Sequence, residues 1–546
     1  MARGHETLRN RLYHRIRMEI LRARANYRVW QLCRQVSSHA PHSALSPQPV
    51  VFFNASTRIT GLSQNAAFSL LAALGLQLAG VPVVNFACKA GLTQCVLGTA
   101  FPDRSGRPPC RACIAQSRWL FADAPTISFT YRPDSVLEAS LQGMSVDELS
   151  RYELRNSKFV IPLGSLVLPS IRWALRRHHL PDDEPTRQLF REYIQSAFYV
   201  ALEFTALLDQ VEPRAVIVFN GQFYPEATAR WVATQHGLRV ISHEVSIQRY
   251  SAFFTDGQAT AYPIHIPADF DLTPEQDARL DTYLEQRFQG NFTMAGIRFW
   301  PEMHGLDEAF LKRASRFRQI VPVFTNVIFD TSQPHSNVVF PHMFAWLDLV
   351  LDIVRENPDT LFVIRAHPDE LRPGKASRES VAEWAAQRHL AELPNILYIN
   401  SDEFVSSYEL IQRSKFVMVY NSSIGLEAAL MGSAVLCAGQ ARYTQYPIVF
   451  FPPTPEGFHL QAEAFLKAEH VEIPEEFNRN ARRFLYYQLY RTALPFGDYL
   501  EEDGIWPGFV RLRRFSWKKL TPAQSPAIRA IINGIVNEKE FLLEEA

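Results

Sequence analysis

Short apolar runs alternate with longer amphipathic stretches along most of this chain. In the first half, the apolar runs that predict β-strands cover residues 50–54, 81–87, 215–220 and 238–244. The stretches that predict helices, with apolar residues every three or four positions, cover residues 64–79, 187–209 and 225–236. Continuous apolar strands separated by helices are typical of a parallel sheet that is covered on both faces.

The same alternation starts again near residue 321. The predicted strands of this second half cover residues 321–327, 361–367, 395–400, 415–420 and 434–439. The predicted helices lie near residues 341–356, 378–390, 406–413 and 423–431. Five strands in so short a segment predict a second, compact Rossmann-like domain. The predicted fold class is therefore α/β, with two Rossmann-like domains facing a cleft.

Both ends of the chain carry helical patterns outside these two domains. A helix is predicted over 5–35 and is followed by a linker rich in Ser and Pro, and a helical tail has its core at 477–496. The predicted parts are a basic amphipathic helix and linker (1–49), an N-terminal Rossmann-like domain with a Cys-rich loop (50–300), a C-terminal Rossmann-like domain (301–460) and a helical tail (461–546).

The N-terminal helix allows two interpretations, and the sequence leaves both open. Nine arginines precede residue 35 and surround the apolar positions. The helix either packs on the body with a solvated basic face or rests on anionic lipid as an interfacial helix.

Charge and composition exclude several classes of protein. Lys+Arg and Asp+Glu number 56 each, so the overall balance does not suggest a nucleic-acid partner. The arginine-rich N-terminus does not resemble a signal peptide. The apolar window 66–84 is interrupted by Ser69, Gln77 and Pro82, which predicts a buried helix and strand rather than a membrane span. We therefore expect a cytoplasmic protein, peripheral on the inner face of the cell membrane if its first helix is interfacial.

The most informative turn lies in VMVYNSSIGLEAALMG, where an apolar strand ends and an amphipathic helix begins. Asn421, Ser422 and Ser423 stand at this turn, where backbone N–H groups and the helix dipole favour an anion. Ser and Asn are also ordinary N-cap residues, so capping alone is the alternative. Tyr420 precedes the turn, and Glu427 can accept hydrogen bonds from ribose hydroxyls or favour the helix N-terminus. All five are predicted ligand-binding residues.

Arg365 and His367 end another predicted strand two positions apart, which predicts that they share one face of the sheet. Arginine offers a fork for phosphate, and histidine can donate a proton or a hydrogen bond to a leaving phosphate. An ordinary surface pair is the alternative. Asn326 and Asp330 follow the first strand of this half, where the loop of a Rossmann unit often faces ligand.

In the first half, Asn220, His243 and Glu244 stand at the ends of neighbouring predicted strands. A carboxylate or an imidazole there can deprotonate an acceptor hydroxyl, so Glu244 and His243 are the predicted bases. A carboxylate buried in helix–sheet packing is the alternative. Arg58 and Asn65 follow the first strand and are predicted, with Asn220, to bind the acceptor.

Four of the six cysteines lie close together in the sequence. Cys88, Cys95, Cys110 and Cys113 have the spacing C-x6-C-x14-C-x2-C in a loop rich in Pro and Gly. Four thiols ending in C-x-x-C can hold a structural zinc or an iron–sulfur cluster, although Cys88 can equally be a core residue. Six cysteines in so long a chain do not suggest a disulfide framework.

Four motifs of the second half resemble the capsule polysaccharide biosynthesis family, whose members have the GT-B glycosyltransferase fold. They are FTNVIFD (324–330), IRAHPDE (364–370), YNSSIGLEAALMGSAVLCAG (420–439) and ARYTQYP (441–447). Bacterial GT-B sialyltransferases and Kdo transferases contain similar His-Pro and Ser-Ser elements. The acidic-acidic-glycine element of sialyltransferases is absent from the first half of this sequence.

The resemblance implies that His367, Ser422 and Ser423 contact the phosphate of a nucleotide-sugar donor, often a CMP-sugar. It implies a glycosyltransferase that acts on a surface or capsular polysaccharide or a glycolipid and requires no cofactor for catalysis. Three alternatives stay open: a polyol-phosphate transferase of the teichoic-acid type, a nucleotide-sugar 2-epimerase, and a non-catalytic scaffold of a polysaccharide assembly complex.

Overall fold

A computed structural model describes most of the chain. The described residues are 8–41, 47–55, 61–96, 108–155, 160–261, 263–288, 303–372, 376–505 and 508–544.

The strands are β1 (Val50–Asn54), β2 (Leu62–Ser63), β3 (Val83–Cys88), β4 (Thr126–Phe129), β5 (Leu154–Arg155), β6 (Val160–Ile161), β7 (Ala215–Phe219), β8 (Arg239–Val245), β9 (Ser251–Asp256), β10 (Gln319–Phe324), β11 (Thr360–Arg365), β12 (Ile396–Ile399), β13 (Val417–Val419), β14 (Val435–Cys437), β15 (Leu494–Pro495), β16 (Leu500–Glu502) and β17 (Phe509–Leu512).

The α-helices are α1 (Leu8–His39), α2 (Gln64–Leu78), α3 (Cys110–Leu120), α4 (Ser135–Ser140), α5 (Val146–Ser150), α6 (Leu163–Leu175), α7 (Glu184–Val211), α8 (Tyr224–Gln235), α9 (Pro274–Phe288), α10 (Glu308–Ala314), α11 (Gln333–Ser336), α12 (Met343–Glu356), α13 (Val381–Gln387), α14 (Ser407–Gln412), α15 (Ile424–Leu430), α16 (Pro455–Lys467), α17 (Glu475–Tyr486) and α18 (Pro526–Val536). Short 3₁₀ turns cover Ala259–Ala261, Pro368–Leu371, Leu390–Glu392, Arg442–Gln445 and Trp517–Leu520, and a π-helical turn covers Tyr487–Arg491.

Two sheets form the centres of the two predicted Rossmann-like domains. The first has the order β15-β9-β8-β7-β1-β3-β4, and the second has the order β12-β11-β10-β13-β14. Strands β8, β7, β1, β3 and β4 run parallel, as do all five strands of the second sheet. The α/β class and the two Rossmann-like sheets predicted from the sequence are confirmed.

The parallel strands of both sheets follow one spatial order. Counted along the chain within each sheet, that order is 3-2-1-4-5. The direction of winding reverses between β1 and β7 in the first sheet and between β10 and β13 in the second. We call these places the first and second switch points. Ligands of open α/β sheets bind outside the carboxyl ends of the strands at such points.

The strands are apolar throughout because helices cover both faces of each sheet. All five residues of β1 are buried, with Val50 and Phe52 packing into one core cluster and Val51 and Phe53 into another. Alternate residues of a strand point to opposite faces, so each sheet separates two cores.

The C-terminal segment differs from the helical tail predicted over 461–546. Helices α16 and α17 are followed by β15, which pairs antiparallel with β9, and by β16 and β17, which form a small sheet with β2. Helix α18 then packs on α2, where a Cβ on Gly75 would lie 2.5 Å from Ile528. The prediction was wrong in part because strands of two to four residues are too short to show a period.

Helix α1 extends to His39, farther than predicted. Its second half packs on the first domain through Val29, Leu32, Cys33 and Val36, which are all buried. The described residues contain no helix that is both long and apolar enough to cross a membrane.

Candidate functional site

At the second switch point, the turn after β13 meets the loop after β10. The backbone N–H of Asn421 donates to Asn326 Oδ1 at 3.4 Å, and Asn421 Nδ2 donates to Ser336 Oγ at 2.5 Å. Asn421 Oδ1 is buried and has no hydrogen-bond partner among the described residues. Such an oxygen is rare in folded proteins and marks a place where a ligand or water donates. The structure therefore brings together Asn326 and Asn421.

Ser422 and Ser423 differ in their surroundings. Ser422 is 9% exposed, and its backbone carbonyl accepts a hydrogen bond from Tyr443 Oη at 2.8 Å. Ser423 is exposed and stands at the N-cap position of α15, but its side chain makes no capping hydrogen bond. Because an ordinary N-cap hydroxyl accepts a backbone N–H, Ser423 does not cap this helix through its side chain.

Tyr420 and Gly425, on either side of this turn, serve packing. Tyr420 is fully buried, and its hydroxyl donates to Asn337 Oδ1 at 2.6 Å. An ideal Cβ on Gly425 would lie 2.4 Å from Tyr443 Oη, so that glycine makes room for a side chain of its own domain. The predicted ligand contact at Tyr420 does not fit its fully buried position.

Glu427 does not point toward an open ligand site. Its carboxylate lies 2.5 Å from the guanidinium of Arg287 and accepts the hydroxyl of Tyr408 at 2.6 Å. Glu427 is 6% exposed. The predicted ribose contact at Glu427 does not fit this position, because both carboxylate oxygens have partners inside the protein.

His367 begins the turn after β11. The backbone N–H of Asp369 donates to His367 Nδ1 at 3.1 Å, so the neutral imidazole carries its proton on Nε2. Burial lowers the pKa of His367 and is the largest effect. The negative charges of Asp369 and Asp330 raise this pKa, whereas the positive charge of Arg365 lowers it. Asp330 is exposed and accepts the backbone N–H of Ser332 at 2.8 Å. The result is a neutral hydrogen-bond donor with an acidic neighbour.

Arg365 serves the interior of the second domain. It is 7% exposed and donates to the Val405 carbonyl at 2.9 Å and to Ser407 Oγ at 2.5 Å. Burial lowers its pKa to about 10. The predicted phosphate contact at Arg365 is not supported by this position. Strand β11 ends at Arg365, so the two-residue alternation that predicted a common face with His367 stops there.

At the first switch point, Glu244 accepts hydrogen bonds from two asparagines. Asn65 Nδ2 donates to Glu244 at 2.7 Å, and Asn220 Nδ2 donates at 3.0 Å. Asn65 lies in the first turn of α2, Asn220 follows β7 with φ +57°, and Glu244 lies in β8. Three residues predicted separately from the sequence thus form one cluster.

The electrostatics of this cluster favour a basic carboxylate. Burial raises the pKa of Glu244, and the hydrogen bonds from the Val245 backbone, Asn220 and Asn65 oppose the shift only in part. The guanidinium of Arg442, from the second domain, also lowers it. Asn65 Oδ1 is buried and has no hydrogen-bond partner among the described residues.

His243 and Arg58 do not join this cluster. His243 is 1% exposed, and its ring lies between Phe219 and Phe254, with centroid distances of 6.2 and 5.3 Å. Burial lowers its pKa to about 3. The prediction that His243 acts as a base is at odds with this apolar position, since neighbouring residues of a strand point to opposite faces. Arg58 lies outside the described residues.

Helix α11 connects the two switch points. Its His335 Nε2 lies 2.7 Å from Gln222 Nε2 of the first domain, and the next residue, Ser336, accepts from Asn421. The backbone N–H of Gln222 donates to Asn220 Oδ1 at 3.2 Å, which leads to Glu244. A chain of hydrogen bonds therefore runs from one sheet edge to the other.

A second bridge between the domains is Arg442, in the ARYTQYP loop. It donates to the Ala259 carbonyl at 3.1 Å and lies over the ring of Phe253 at 5.0 Å. Sequence reasoning did not select Gln222 or Arg442. For Arg442 the signal was its position inside a motif that carries the family resemblance.

The four clustered cysteines surround one pocket at the carboxyl edge of the first sheet. All six cysteines of the chain are thiols rather than disulfides.

Comparison with known proteins identifies relatives for part of the chain. Residues 305–448 match the family model described as capsule polysaccharide biosynthesis protein, which confirms the resemblance predicted for this segment. Protein FixF of Sinorhizobium fredii (strain NBRC 101917 / NGR234) is 28% identical over 155 residues, which are 27% of this chain and 34% of FixF. The chain thus matches about a third of the length of this relative.

Several solved structures match this chain at low similarity. The β-Kdo 2,4 transferase of Thermosulfurimonas dismutans KpsC has a TM-score of 0.33 and 13% identity, with 51% of this chain and 80% of that chain covered. The β-Kdo 2,7 transferase of the same protein has a TM-score of 0.32 and 14% identity, with 62% and 90% covered. A UDP-GlcNAc 2-epimerase from Neisseria meningitidis has a TM-score of 0.25 and 13% identity, with 81% and 99% covered.

Proposed function

We propose that this protein is a glycosyltransferase that moves a sugar from a nucleotide-sugar donor to a surface or capsular polysaccharide or a glycolipid acceptor. The proposal rests mainly on the contacts that helix α11 makes with residues of both switch points. One edge holds a carboxylate with a raised pKa, and the other holds amides, hydroxyls and a neutral imidazole. The family match of residues 305–448 agrees with this role.

In the proposed reaction, the acceptor lies at the first switch point. Its hydroxyl proton passes to the Glu244 carboxylate while its oxygen forms a bond to the anomeric carbon of the donor sugar. A carboxylate whose pKa is raised is a stronger base than an ordinary glutamate, which suits this step. Asn65 and Asn220 orient the carboxylate, and Asn65 Oδ1 is an acceptor for a sugar hydroxyl.

The donor lies at the second switch point, with its phosphate near Ser422, Ser423 and His367. As the bond between the sugar and the phosphate breaks, the Nε2–H of His367 donates a hydrogen bond to the leaving phosphate oxygen. Asn326 and Asn421 contact the nucleotide. A CMP-sugar is the first donor to test, because the resemblance of the His-Pro and Ser-Ser elements points to that class.

Nucleotide binding tests the donor site directly. In calorimetry with CMP, CDP, UDP and GDP, one nucleotide should bind, and Ser422→Ala should weaken it by about tenfold or more, the effect of losing one charge-assisted hydrogen bond. Ser433→Ala, after the other end of α15, is the matched control and should bind normally. If none of the four nucleotides binds the wild-type protein, the proposal of an enzyme is wrong and a non-catalytic scaffold is favoured.

Product analysis with the preferred donor separates the enzymatic alternatives. A glycosidic product together with the released nucleotide supports the proposal. A phosphodiester product would assign a polyol-phosphate transferase, and sugar inversion at C2 without any acceptor would assign an epimerase.

For location, we propose peripheral contact with an anionic membrane through the exposed face of α1. Ile16, Ile20 and Tyr27 are 53%, 47% and 49% exposed and lie on one face of the helix. Arg17 and Arg24 are exposed beside this face. A groove of about 630 Å³ next to the helix adds Arg513 and Arg514 of the C-terminal segment. Apolar residues flanked by arginines are typical of a helix that lies in a membrane interface.

Vesicle flotation tests this location. We expect wild-type protein to bind vesicles with anionic lipid better than neutral vesicles, and Ile16→Ser/Ile20→Ser to lose most of that binding. Leu460→Ser, at a 72% exposed leucine on α16, is the control. Substitution is preferable to deletion of α1, because its second half is part of the core. Equal binding of the double variant and the wild type would refute the proposal.

A further inference from the structure

Four cysteines from three separate places in the first domain converge on one pocket. Cys88 ends β3, Cys95 lies in the loop that follows, and Cys110 and Cys113 lie in the first turn of α3. Ala55, Ala90, Leu92, Pro108, Pro109 and Ile114 complete the lining. The described lining contains no lysine, arginine, aspartate or glutamate. Four thiols in an otherwise apolar pocket are a ligand set of the kind that holds zinc.

The turn after β3 is built to stabilise a thiolate at Cys88. The backbone N–H of Gly91 donates to Cys88 Sγ at 3.3 Å, and Ala90 between them has φ +58°. A left-handed residue at this point turns the N–H back toward the sulfur. A hydrogen bond to the charged form of a group favours that form.

The same turn is fixed by the strand next to it. A Cβ on Gly91 would lie 2.2 Å from the ring of Phe129, so only glycine fits there. The backbone N–H of Lys89 donates to the Phe129 carbonyl at 2.8 Å. Cys88 is therefore held in position by the sheet edge.

Cys110 and Cys113 lie three residues apart at the N-terminus of an 11-residue helix. Residues at this spacing share one helix face, and the helix dipole stabilises thiolates in the first turn. Cys95 lies in the loop after β3 and lines the same pocket.

We infer that Cys88, Cys95, Cys110 and Cys113 bind one structural zinc ion. Each thiol gives its proton to solvent as its sulfur bonds to the metal, so up to four protons are released for each zinc bound. Tetrahedral coordination places sulfur atoms about 3.8 Å apart, given zinc–sulfur bonds of about 2.3 Å. No three of the four sulfur atoms lie within 4.8 Å of one another, so the inferred zinc binding requires the cysteine side chains to move closer together.

Another group of donor atoms in the described chain already lies within 4.8 Å of one another. It consists of Glu356, His459 and Glu463. However, the ammonium of Lys467 lies 2.9 Å from Glu463, and Asn357 donates to the same carboxylate at 2.6 Å. These contacts account for the cluster, which we use as a control and not as a site.

Metal analysis of the full chain tests the inference. Protein dialysed against zinc and then against metal-free buffer should retain one zinc per chain by mass spectrometry. Cys110→Ser/Cys113→Ser should lose it, whereas Cys33→Ala and His459→Ala should retain it. Retention of zinc by the double cysteine variant, or loss of it by His459→Ala, would overturn the assignment. So would iron with acid-labile sulfide in place of zinc.

A measurement on the wild-type protein removes the risk that a variant fails to fold. Alkylation mapped by peptide mass spectrometry should find the four pocket cysteines protected when zinc is bound and reactive after removal of zinc by a chelator. Cys33 and Cys437 are buried and should stay unreactive in both states. Equal reactivity of the four thiols with and without zinc would refute the proposal.

Discussion

The two sheets have the same strand order, but their switch points carry different chemistry. The first places a carboxylate between two asparagine amides, with Glu244 accepting from both Asn65 and Asn220. The second places amides, serine hydroxyls and an imidazole at its edge, and turns its nearby carboxylate, Glu427, toward Arg287. The fold thus determines where a ligand lies, and the residues at each edge determine which half of a reaction it serves.

Burial has a complementary effect at the two edges. It raises the pKa of Glu244 and lowers the pKa of His367, because burial disfavours the charged form of each group. The first edge therefore holds a stronger base than an ordinary glutamate. The second holds a neutral hydrogen-bond donor over a wider pH range than an ordinary histidine.

The largest expected effect comes from removing the base at the first edge. Glu244→Gln keeps the shape of the side chain and should lower kcat by about 10²- to 10⁴-fold, the usual contribution of a general base. Because the pKa of Glu244 is raised above 4.5, wild-type activity should increase with pH through that higher pKa, and the variant should lose this limb.

The exposed Glu138 supplies the control for this comparison. Glu138→Gln should leave both kcat and the pH profile unchanged. If Glu244→Gln kept the wild-type kcat, Glu244 would not be the base, and the proposed chemical difference between the two switch points would be wrong.

A buried carboxylate of the second domain should affect stability with little direct effect on chemistry. Glu370 is 1% exposed, and burial raises its pKa to about 8. Its neutral form is the stable one in the folded state, so the stabilisation is complete below pH 4.5 and is lost as pH rises toward 8. The free energy of unfolding should fall by on the order of 4 kcal/mol over this window.

Urea unfolding at several pH values measures this effect. Glu370→Gln should flatten the dependence, and Glu392→Gln, at an exposed site, should not. A pH-independent wild type between 5 and 8 would show that Glu370 is ionised in the folded protein.

Removing His367, the proposed hydrogen-bond donor at the second switch point, should have an intermediate effect. His367→Ala should lower kcat/KM by about 10- to 150-fold, which corresponds to the 1.5–3 kcal/mol of a hydrogen bond to a charged group. The exposed His470 provides the control, since His470→Ala should have wild-type kinetics. Full turnover by His367→Ala would show that His367 does not donate a hydrogen bond to the leaving phosphate.

The smallest expected effect concerns the link between the edges. Replacing His335 or Gln222 by alanine should cost about 0.5–1.5 kcal/mol of stability, the net value of a neutral hydrogen bond. If their 2.7 Å contact is formed in solution, the double variant should cost less than the sum of the single ones. Strict additivity in this cycle would mean that the two edges are not coupled through α11.

Local pattern was sufficient to predict the framework. Continuous apolar runs predicted both parallel sheets because helices bury both faces of every central strand. Polar residues directly after those runs identified Asn220, Glu244, Asn326 and Asn421, since parallel strands end at a common edge. The position of a residue relative to the end of a strand is a property that the sequence carries.

The direction of individual side chains was decided only by the tertiary structure. Arg365 and Glu427 were predicted to face ligand, but long-range partners turn them inward: Val405 and Ser407 for the arginine, and Arg287 for the glutamate. His243 was predicted as a base beside Glu244, yet neighbours in a strand face opposite sides, and the rings of Phe219 and Phe254 surround it.

The return of the C-terminal segment to the first sheet was also beyond the sequence. Strands β15 and β16 have two and three residues, and they exist because β9 and β17 offer them hydrogen-bond partners. The link through His335 and Gln222 likewise joins residues 113 positions apart. The sequence pattern predicts the strand or helix in which each residue lies, because that depends on neighbouring residues. Only the folded chain determines which distant residue becomes its hydrogen-bond partner.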